Sequence, residues 1–518
     1  MKNLLVISAL LMFVSVQGAS KPLPWQELTA AARWNCVPFG KCSTRDGRDF
    51  VMLRSDDRRK AVSVTTLLDV KEFLGQAVNF SIRVRAKEVS RPGASWNGVK
   101  FMLHTRDFSG KENWYNSSGL YGTFDWKEAN FSATLDNNVA TARLVLGLQD
   151  SSGEVEFDLS SLKVAATFPR VESGYIARYS PEVAAMPPLR GVMSPAVHMT
   201  DDDFNTLKAW NANLIRFQIT RNWGKDNREL DLAEYDKWLN GRLDDLESIL
   251  GKAEKAGIRI VVDLHAVPGG RRDGEHRMFF ERRYADHFVE VWKRIATRFR
   301  GQKAIWAYDL FNEPSQKRPS TNDYLSVQRA AAVAIREIDP EIPIIISSNT
   351  NNCPATFSYL APVELENIIY QVHMYQPGNY THQGVFNTWG EKGAAGVVQY
   401  PGMINGIHYD KEVLRRELEM VRAFQQRHKA RIFVGEFSVA AWAPNAEQYL
   451  NDCIELFEEY GWDWTYHAFR EYEGWSVEHA GMPRRMKKCE NTPRKAVLLN
   501  YFKRNRNPYM EPQGKKSL

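Results

Sequence analysis

Several features of common protein classes are missing from this sequence. Beyond its first residues, no apolar run is long enough to form a membrane-spanning helix. The charges are dispersed apart from a Lys- and Arg-rich C-terminal end, and no basic stripe of the kind that binds nucleic acid is present. The five cysteines follow no zinc-site spacing and stand in no nucleophile motif. We therefore expect no membrane span, no nucleic-acid partner, no metal and no organic cofactor.

Length and apolar content, in contrast, are ample. The chain has 518 residues, of which 43% are hydrophobic, so two or three domains with large cores are expected. The net charge of +6 is mildly basic. Fifteen Trp and twenty Tyr are many for this length. Flat aromatic rings stack on the apolar faces of sugars, but they are also ordinary core residues, so composition alone decides no function.

Residues 1–18 have the pattern of a secretory signal peptide. Lys2 supplies a positive charge, residues 4–16 form a short apolar run, and small residues suited to cleavage follow. We therefore expect a secreted or periplasmic protein.

Cys36 and Cys42 are close enough in sequence to close a small loop in an oxidising compartment. The odd cysteine count leaves at least one thiol unpaired.

Residues 19–168 contain many short strand patterns. Apolar and polar residues alternate over several short stretches, and turn residues such as Arg91-Pro92-Gly93 separate them. No helical period of convincing length interrupts the series. This pattern predicts an antiparallel all-β sandwich. The predicted strands lie at 77–85, 99–104, 142–148 and 154–159.

Residues 169–188 have neither a strand period nor a helical one. The stretch contains Pro169 and Pro181 and closes with Met186-Pro187-Pro188. Proline at this density interrupts regular structure, so we predict a linker between two domains. At the other end of the chain, residues 506–518 form a polar, basic tail.

Residues 189–505 change to short apolar strands that alternate with longer amphipathic helices. Eight strand candidates can be counted, with helical runs such as 230–256 and 285–299 between them. This alternation predicts a (β/α)₈ TIM barrel. The rival is an open doubly wound sheet, but no glycine-rich phosphate loop follows the first strand. The eight strand candidates are 189–193, 213–219, 258–265, the strand before Glu313, 343–348, 368–373, the strand before Glu436, and 462–466.

Two of these strands end in a carboxylate. Ile305–Pro314 begins as an apolar strand and stops at Asn312-Glu313-Pro314, because Pro314 cannot continue a sheet ladder. Arg431–Phe437 likewise ends in Gly-Glu-Phe, which contains Glu436. In a parallel barrel the carboxyl ends of the strands carry the chemistry. Each glutamate alone has the simpler explanation of a capping or salt-bridged residue, but the pair in this order favours glycoside hydrolysis, which uses two carboxyl groups.

Other polar residues follow the strand ends in the same region. Together with the glutamates they resemble glycoside hydrolase family 5, within the clan A retaining barrel glycosidases, over residues 190–502. The motifs that carry the resemblance are Arg190-Gly191-Val192, Arg216, Asp263-Leu264-His265, Asn312-Glu313-Pro314, His373-Met374-Tyr375 and Gly435-Glu436-Phe437.

The resemblance implies roles for these residues. Glu313 is the acid/base, which must begin protonated, and Glu436 is the nucleophile, which must be ionised. Arg216 is a plausible cation for keeping Glu436 charged, and Tyr375 a plausible donor to the same carboxylate. Asn312 is expected to bind the 2-hydroxyl of the sugar. His265 and His373 are expected to contact sugar hydroxyls or to position the acid, although an isolated histidine is more often structural.

One position departs from the family pattern. At the eighth strand the family usually has a Trp that forms the floor of the sugar site, and here His467 takes that place. Either Trp475 from the following loop substitutes for it, or the floor is altered. We include both residues among the expected substrate contacts. The loop 268–273 either borders the cleft or is an ordinary solvated loop.

The N-terminal region resembles the jelly-roll carbohydrate-binding modules of polysaccharide hydrolases. The resemblance rests on Asp125-Trp126-Lys127, Ala142–Leu148 and Gly153–Asp158. Sugar stacking on its aromatic residues and a purely structural module both remain open. The aromatic residues that could form a stacking surface, or else pack in the core or loops, are Trp96, Trp114, Tyr115 and Tyr121.

The function expected from the sequence is that of a secreted retaining glycoside hydrolase, of the cellulase or endo-β-glucanase kind. It would cleave β-glycosidic bonds of a β-glucan or related polysaccharide by double displacement, and we expect it to be a monomer. A mannan-directed or exo-acting β-glycosidase, and a non-catalytic carbohydrate-binding protein, are the alternatives.

Overall fold

The structure is a computed structural model with two compact units, one up to Pro169 and one from Arg170. The predicted signal peptide, 1–18, and most of the predicted basic tail, 506–518, lie outside the described residues. No helix within the described part of the chain is both long and apolar enough to cross a bilayer. The structure describes residues 22–509 except 39, 75, 108–111, 136–138, 169–172, 197, 222–227, 321, 386–396, 405–406 and 484.

The first unit consists of two antiparallel sheets. One sheet has five strands and the other has four, and every strand pairs with its neighbours in the antiparallel sense. The predicted all-β sandwich is confirmed. In chain order the strands are Gly40–Arg45, Arg48–Ser55, Val62–Leu67, Gln76–Val89, Gly98–Asp107, Glu112–Asn116, Gly122–Leu135, Val139–Gln149 and Gly153–Phe168.

Alternation along the strands builds the core of this unit. In Gln76–Val89 the side chains of Val78, Phe80 and Ile82 are buried, whereas the residues between them are partly exposed. Phe80 pairs across the sheet with Phe131, and their rings stack with centroids 4.8 Å apart. Side chains of one parity therefore face the core. Cys36 and Cys42 form a disulfide beside this core, as their spacing suggested.

The second unit is a closed barrel of eight parallel strands. Each strand candidate of the sequence overlaps one observed strand, so the predicted TIM barrel is confirmed and the open doubly wound sheet is excluded. The barrel strands, from first to eighth, are Arg190–Met193, Leu214–Gln218, Arg259–Asp263, Ile305–Asp309, Ile344–Ser347, Ile368–Met374, Arg431–Phe437 and Asp463–Tyr466.

Helices connect the barrel strands. The longest begins after Asp231, whose side chain accepts from the backbone amides of Ala233 and Glu234, and it ends at Gly257, which has φ +76°. The helices of this unit are Pro181–Ala185, Asp201–Ala209, Leu232–Ala256, Arg282–Phe299, Tyr324–Ile338, Asn349–Asn352, Gly378–Thr381, Lys411–Glu417, Glu419–His428, Ala446–Tyr460 and Pro493–Phe502.

Short elements complete both units. Three two-stranded ribbons pair Arg271–Arg272 with Glu275–His276, Gly402–Ile404 with Ile407–Tyr409, and His479–Ala480 with Lys487–Lys488. The 3₁₀ helices are Trp25–Thr29, Ala31–Arg33, Lys71–Phe73, Arg228–Leu230, Arg277–Phe279 and Pro354–Ser358.

The barrel strands pack too closely for side chains at some positions. A Cβ atom at Gly191 would lie 1.7 Å from the carbonyl oxygen of Leu214 on the neighbouring strand. Real Cβ atoms do not approach backbone oxygens so closely, so the first two strands can pair as they do only with glycine at this position.

The described part of the segment predicted as a linker binds to the base of the barrel. The Tyr179 hydroxyl donates to the carbonyl of Ile368 (2.9 Å) and accepts from the backbone amide of Arg431 (2.6 Å). The Arg431 guanidinium donates in turn to the carbonyls of Val183 and Met186. The stretch was expected to lack helix and strand, but it contains the short helix Pro181–Ala185, and from residue 173 it belongs to the barrel unit.

Candidate active site

The candidate site lies at the carboxyl ends of the barrel strands. Glu436 is near the end of the seventh strand and His373 near the end of the sixth. Asn312 and Glu313 follow the fourth strand, which ends at Asp309. Because parallel strands of a closed barrel end at the same rim, these residues meet although they are far apart in sequence.

Arg216 is the cation around which the site is built. Its side chain is fully buried and donates to Asp309 (2.8 Å), Glu436 (2.8 Å) and Asn312 (2.9 Å), and it also lies 3.1 Å from Asp263. Burial opposes a charged guanidinium, but three surrounding carboxylates outweigh it and raise the pKa of Arg216 above its usual value. The guanidinium stays charged, and its several N–H groups orient Asp309, Glu436 and Asn312 at once.

Glu436 is buried and held as a carboxylate. One oxygen accepts from Arg216, and the other accepts from the Tyr375 hydroxyl at 2.9 Å. The Nδ1 atoms of His373 and His467 lie 3.7 and 3.6 Å from that second oxygen. Burial favours protonation, but these partners outweigh it and hold the pKa of Glu436 well below its usual range.

Glu313 faces the same space but is more open. About a quarter of its side chain is exposed (26%), and one of its oxygens lies 3.1 Å from the Nδ1 of His373. Its backbone is left-handed, with φ +50°. The guanidinium of Arg271 donates to the Glu313 carbonyl (2.7 Å), and the amide of Asn351 donates to the Pro314 carbonyl (3.0 Å). The loop that carries Arg271 therefore borders the site and helps to hold this turn.

The two carboxyl groups are close neighbours. One oxygen of Glu313, one oxygen of Glu436 and one ring nitrogen of His373 all lie within 4.8 Å of one another. Such a trio also has the spacing of a metal site. However, both Glu436 oxygens already accept from Arg216 and Tyr375, so the charge of that carboxylate is compensated by the protein itself.

A chain of hydrogen bonds fixes Asn312. His265 lies with Nδ1 2.9 Å from a carboxylate oxygen of Asp263 and Nε2 3.0 Å from the side-chain nitrogen of Asn312. Since a carboxylate only accepts and an amide nitrogen only donates, Nδ1 carries the proton and Nε2 accepts. The Asn312 oxygen accepts from Arg216, which leaves one amide N–H of Asn312 to point elsewhere.

The floor position is altered. His467 is linked to Tyr375, with the hydroxyl and Nδ1 2.5 Å apart. Trp475 is only 4% exposed, and its ring packs against Tyr375, His382 and His467 at centroid distances of 6.2, 5.1 and 6.0 Å. Trp475 supports the other rings from behind and offers little surface to a ligand.

The structure brings all nine residues expected from the sequence into one cluster. A cavity of about 410 Å³ opens beside it and is lined in part by His265, Asn312, Glu313 and Arg271. Sequence reasoning named Asp263 within a motif without giving it a role, and it missed Asp309; both lie against Arg216. A signal was available, because each is an acidic residue that ends a strand directly after buried aliphatic or aromatic residues, and a buried acid there needs a cation as partner.

Glu471 was also missed. Its carboxylate lies 3.1 Å from the Nε2 of His467 and accepts from Gln218 (3.0 Å). It follows the eighth strand in an irregular stretch without strand or helix period, so no pattern in the sequence singled it out.

A family model described as cellulase, glycosyl hydrolase family 5, matches residues 182–473, more than half of the chain. The chain belongs to glycosyl hydrolase family 5. The matched region contains every residue of the cluster except Trp475, and family membership makes this protein a glycoside hydrolase.

Relatives and solved structures are similar to parts of this hydrolase. Endoglucanase C of Acetivibrio thermocellus is 29% identical over 249 residues, covering 43% of this chain and 71% of that protein. Cellodextrinase A of Ruminococcus flavefaciens is 26% identical over 192 residues, covering 36% and 54%. Thermotoga maritima Cel5A, solved with mannotriose, is 19% identical with a TM-score of 0.49 and covers 62% of this chain and all of that one.

Proposed function

We propose that this family 5 hydrolase cleaves β-glycosidic bonds of a β-glucan by double displacement, with retention at the anomeric carbon. The observation that carries the proposal is the approach of a Glu313 oxygen and a Glu436 oxygen to within 4.8 Å. Retaining glycosidases hold their two carboxyl groups about 5–5.5 Å apart, whereas inverting enzymes need about 6.5–9.5 Å to admit a water molecule.

In the first step, Glu436 attacks the anomeric carbon. Its carboxylate is ionised and is oriented by Arg216 and Tyr375, so no proton has to leave before attack. Glu313 gives its proton to the departing glycosidic oxygen. Nδ1 of His373 lies 3.1 Å from one oxygen of Glu313, which leaves the other oxygen to carry the transferable proton.

In the second step, water hydrolyses the glycosyl-enzyme ester. Glu313 gave up its proton in the first step and is now a carboxylate, so it accepts a proton from the attacking water. The free amide N–H of Asn312 is available to the 2-hydroxyl of the sugar, a contact that strengthens in the transition state. His265 acts on the sugar through Asn312, because both of its ring nitrogens have partners.

The test of the mechanism uses Glu313→Gln and Glu436→Gln, with Glu473→Gln as the matched control. Glu473 is exposed and lies outside the cluster. Both cluster variants are expected to lose at least about 10³-fold in kcat on a soluble β-glucan, because each removes a group that the chemistry needs. The control should match the wild type. Near wild-type turnover in either cluster variant would defeat the assignment.

The β-glucan is proposed from the endoglucanase relatives, and a polysaccharide panel tests it. Reducing-sugar release from carboxymethyl cellulose and mixed-linkage β-glucan is expected to exceed release from mannan. A preference for mannan, or release of one sugar at a time from chain ends, would favour a mannan-directed or exo-acting enzyme. No release from any glycan, together with retained sugar binding, would indicate a non-catalytic carbohydrate-binding protein.

Export and sugar binding by the N-terminal unit are also proposed. The Cys36–Cys42 disulfide supports an oxidising compartment.

Trp96 and Tyr121 are 61% and 41% exposed, as sugar-stacking aromatics need to be. Tyr115 instead bonds to the Thr134 carbonyl, and Trp114, 42% exposed, stacks on His104.

Binding of the full chain to insoluble cellulose tests the stacking surface. A Trp96→Ala variant that also carries Glu313→Gln is expected to bind about tenfold more weakly than Glu313→Gln alone, since one stacking aromatic contributes about 1–2 kcal/mol. Equal binding of the two proteins would leave a structural role for this unit.

A further inference from the structure

The residue at the altered floor position contacts the proposed nucleophile through Tyr375. His467 lies on the loop after the eighth strand, with 16% of its side chain exposed. Its Nδ1 is 2.5 Å from the Tyr375 hydroxyl, which donates to Glu436. Its other ring nitrogen, Nε2, is 3.1 Å from a carboxylate oxygen of Glu471.

Counting protons along this chain determines the state of the imidazole. Tyr375 has one proton, and it goes to the Glu436 carboxylate, which can only accept. The Tyr375 oxygen must then accept from Nδ1 of His467. The Glu471 carboxylate also only accepts, so Nε2 must donate to it. Both ring nitrogens therefore carry hydrogen, and the ring is an imidazolium cation.

The charged groups around the ring agree with this count. Glu436 on the seventh strand and Glu471 on the same loop are the anions that face it, and His265 after the third strand and His382 after the sixth are the other histidines nearby. Burial lowers the pKa of His467, but the two carboxylates outweigh burial and raise the pKa above its usual value.

We propose that Glu471 and His467 form a carboxylate–imidazolium pair that positions Tyr375 on the nucleophile, where the family usually has an aromatic floor. The proposal rests on the proposed function of Glu436. Glu471 is a positioning residue that acts through His467, and Gln218 fixes Glu471 by donating to it at 3.0 Å. Gln218 is itself anchored, because it also donates to the Ser194 carbonyl at 2.6 Å.

Loss of the proton from His467 would disturb the nucleophile. Without that proton, lone pairs of Nδ1 and of the Tyr375 oxygen would face each other at 2.5 Å, closer than the 2.9 Å contact with Glu436, so the Tyr375 hydroxyl would turn from Glu436 to His467. Glu436 would lose one hydrogen bond and one nearby positive charge. Activity should therefore fall as the pH rises through the pKa of His467.

The test compares Glu471→Gln with wild type on 2,4-dinitrophenyl β-cellobioside. The 2,4-dinitrophenolate of this substrate leaves without being protonated, so the acid Glu313 does not set the alkaline limb of kcat/KM. Glutamine keeps the shape but removes the charge that faces Nε2. In Glu471→Gln the alkaline limb of kcat/KM is expected about one pH unit lower than in wild type. At the pH of maximum activity KM should be unchanged within about twofold, and Glu473→Gln should follow wild type.

A second measurement does not depend on turnover. The imidazole proton signal of His467 is identified by its absence from the NMR spectrum of His467→Gln and is then titrated. Its midpoint is expected above the ordinary value of a histidine in wild type and about one unit lower in Glu471→Gln, which lacks one of the two carboxylates that raise it. Coincident midpoints and coincident alkaline limbs would overturn the proposal. A wild type that does not hydrolyse any β-cellobioside would overturn the proposed function instead, while the titration would still decide the state of His467.

Discussion

At the scale of single residues, the site depends on charges that compensate one another. Arg216 is fully buried, and its guanidinium forms ion pairs with Glu436, Asp309 and Asp263. Removing one partner of a buried ion pair lowers the free energy of unfolding, because the remaining charge is buried with neither water nor a counter-charge. The position of the nucleophile and the stability of the barrel therefore depend on the same guanidinium.

Replacement of Arg216 by methionine should affect stability as well as activity. Arg216→Met keeps most of the volume but leaves three buried carboxylates without their cation, so the free energy of unfolding of the barrel should fall by about 3–5 kcal/mol. Chemical denaturation followed by tryptophan fluorescence measures it. Arg54→Ala, which removes an exposed pair with Asp56, is the control and should leave the transition unchanged. An equally small effect for both would contradict the buried-charge interpretation.

The pKa of Glu436 also predicts the acid side of the pH profile. Because this pKa is held well below its usual range, Glu436 stays ionised as the pH falls, and it loses its charge only when the pH passes the lowered value. The acid limb of kcat/KM should therefore lie below about 4, the range of an ordinary glutamate.

Tyr375→Phe tests what the hydrogen bond from Tyr375 adds to this lowered pKa, beside the charges of neighbours such as Arg216. It removes one donor from Glu436 and should move the acid limb upward by about one pH unit. Recovery of activity after return to neutral pH separates titration from acid unfolding. An acid limb near 4.5 that is identical in wild type and Tyr375→Phe would contradict the prediction.

At the scale of elements, the sequence predicts where strands end better than it predicts which side chains contact the residues at those ends. Apolar runs that stop at Glu313 and Glu436 reveal two strands and the rim to which they belong, because side-chain type and chain direction suffice for that. The pairing of Asp263 and Asp309 with Arg216 is a matter of three-dimensional packing, so it was not predicted. The left-handed backbone of Glu313 likewise has no local signal.

The first barrel strand offers a sharp test of packing. Gly191→Ala would place a methyl group against the Leu214 carbonyl of the second strand, and the strands would have to separate. We expect the free energy of unfolding to fall by about 3 kcal/mol, measured by chemical denaturation. Gly251→Ala is the matched control: it lies in the helix Leu232–Ala256 with nothing within 4 Å of the added carbon, so it should be neutral or slightly stabilising.

At the scale of the whole molecule, the chain divides into two units with separate cores. The composition shift from short alternating strands to alternating strands and helices made both units visible in the sequence. The start of the barrel unit was less visible, because residues 173–188 form only one short helix and are held largely by hydrogen bonds to distant strands. Local periodicity cannot report such bonds.

Loss of the disulfide should affect only the first unit. Replacing Cys36 and Cys42 by serine opens a small loop, which by the chain-entropy argument destabilises that unit by about 2 kcal/mol. Calorimetry should find one transition moved to lower temperature and one unchanged, with kcat on a soluble substrate unaffected. A matching loss of kcat would mean that the units are more strongly coupled than their separate cores imply.

The bonds that join Arg431 to Tyr179, Val183 and Met186, in the chain that precedes the first barrel strand, have a practical consequence. A catalytic fragment cut at Leu189 would lack the carbonyls of Val183 and Met186, and the guanidinium at the start of the seventh strand would lose two acceptors. The minimal catalytic fragment therefore begins near Ser173, sixteen residues earlier than the strand pattern alone would suggest.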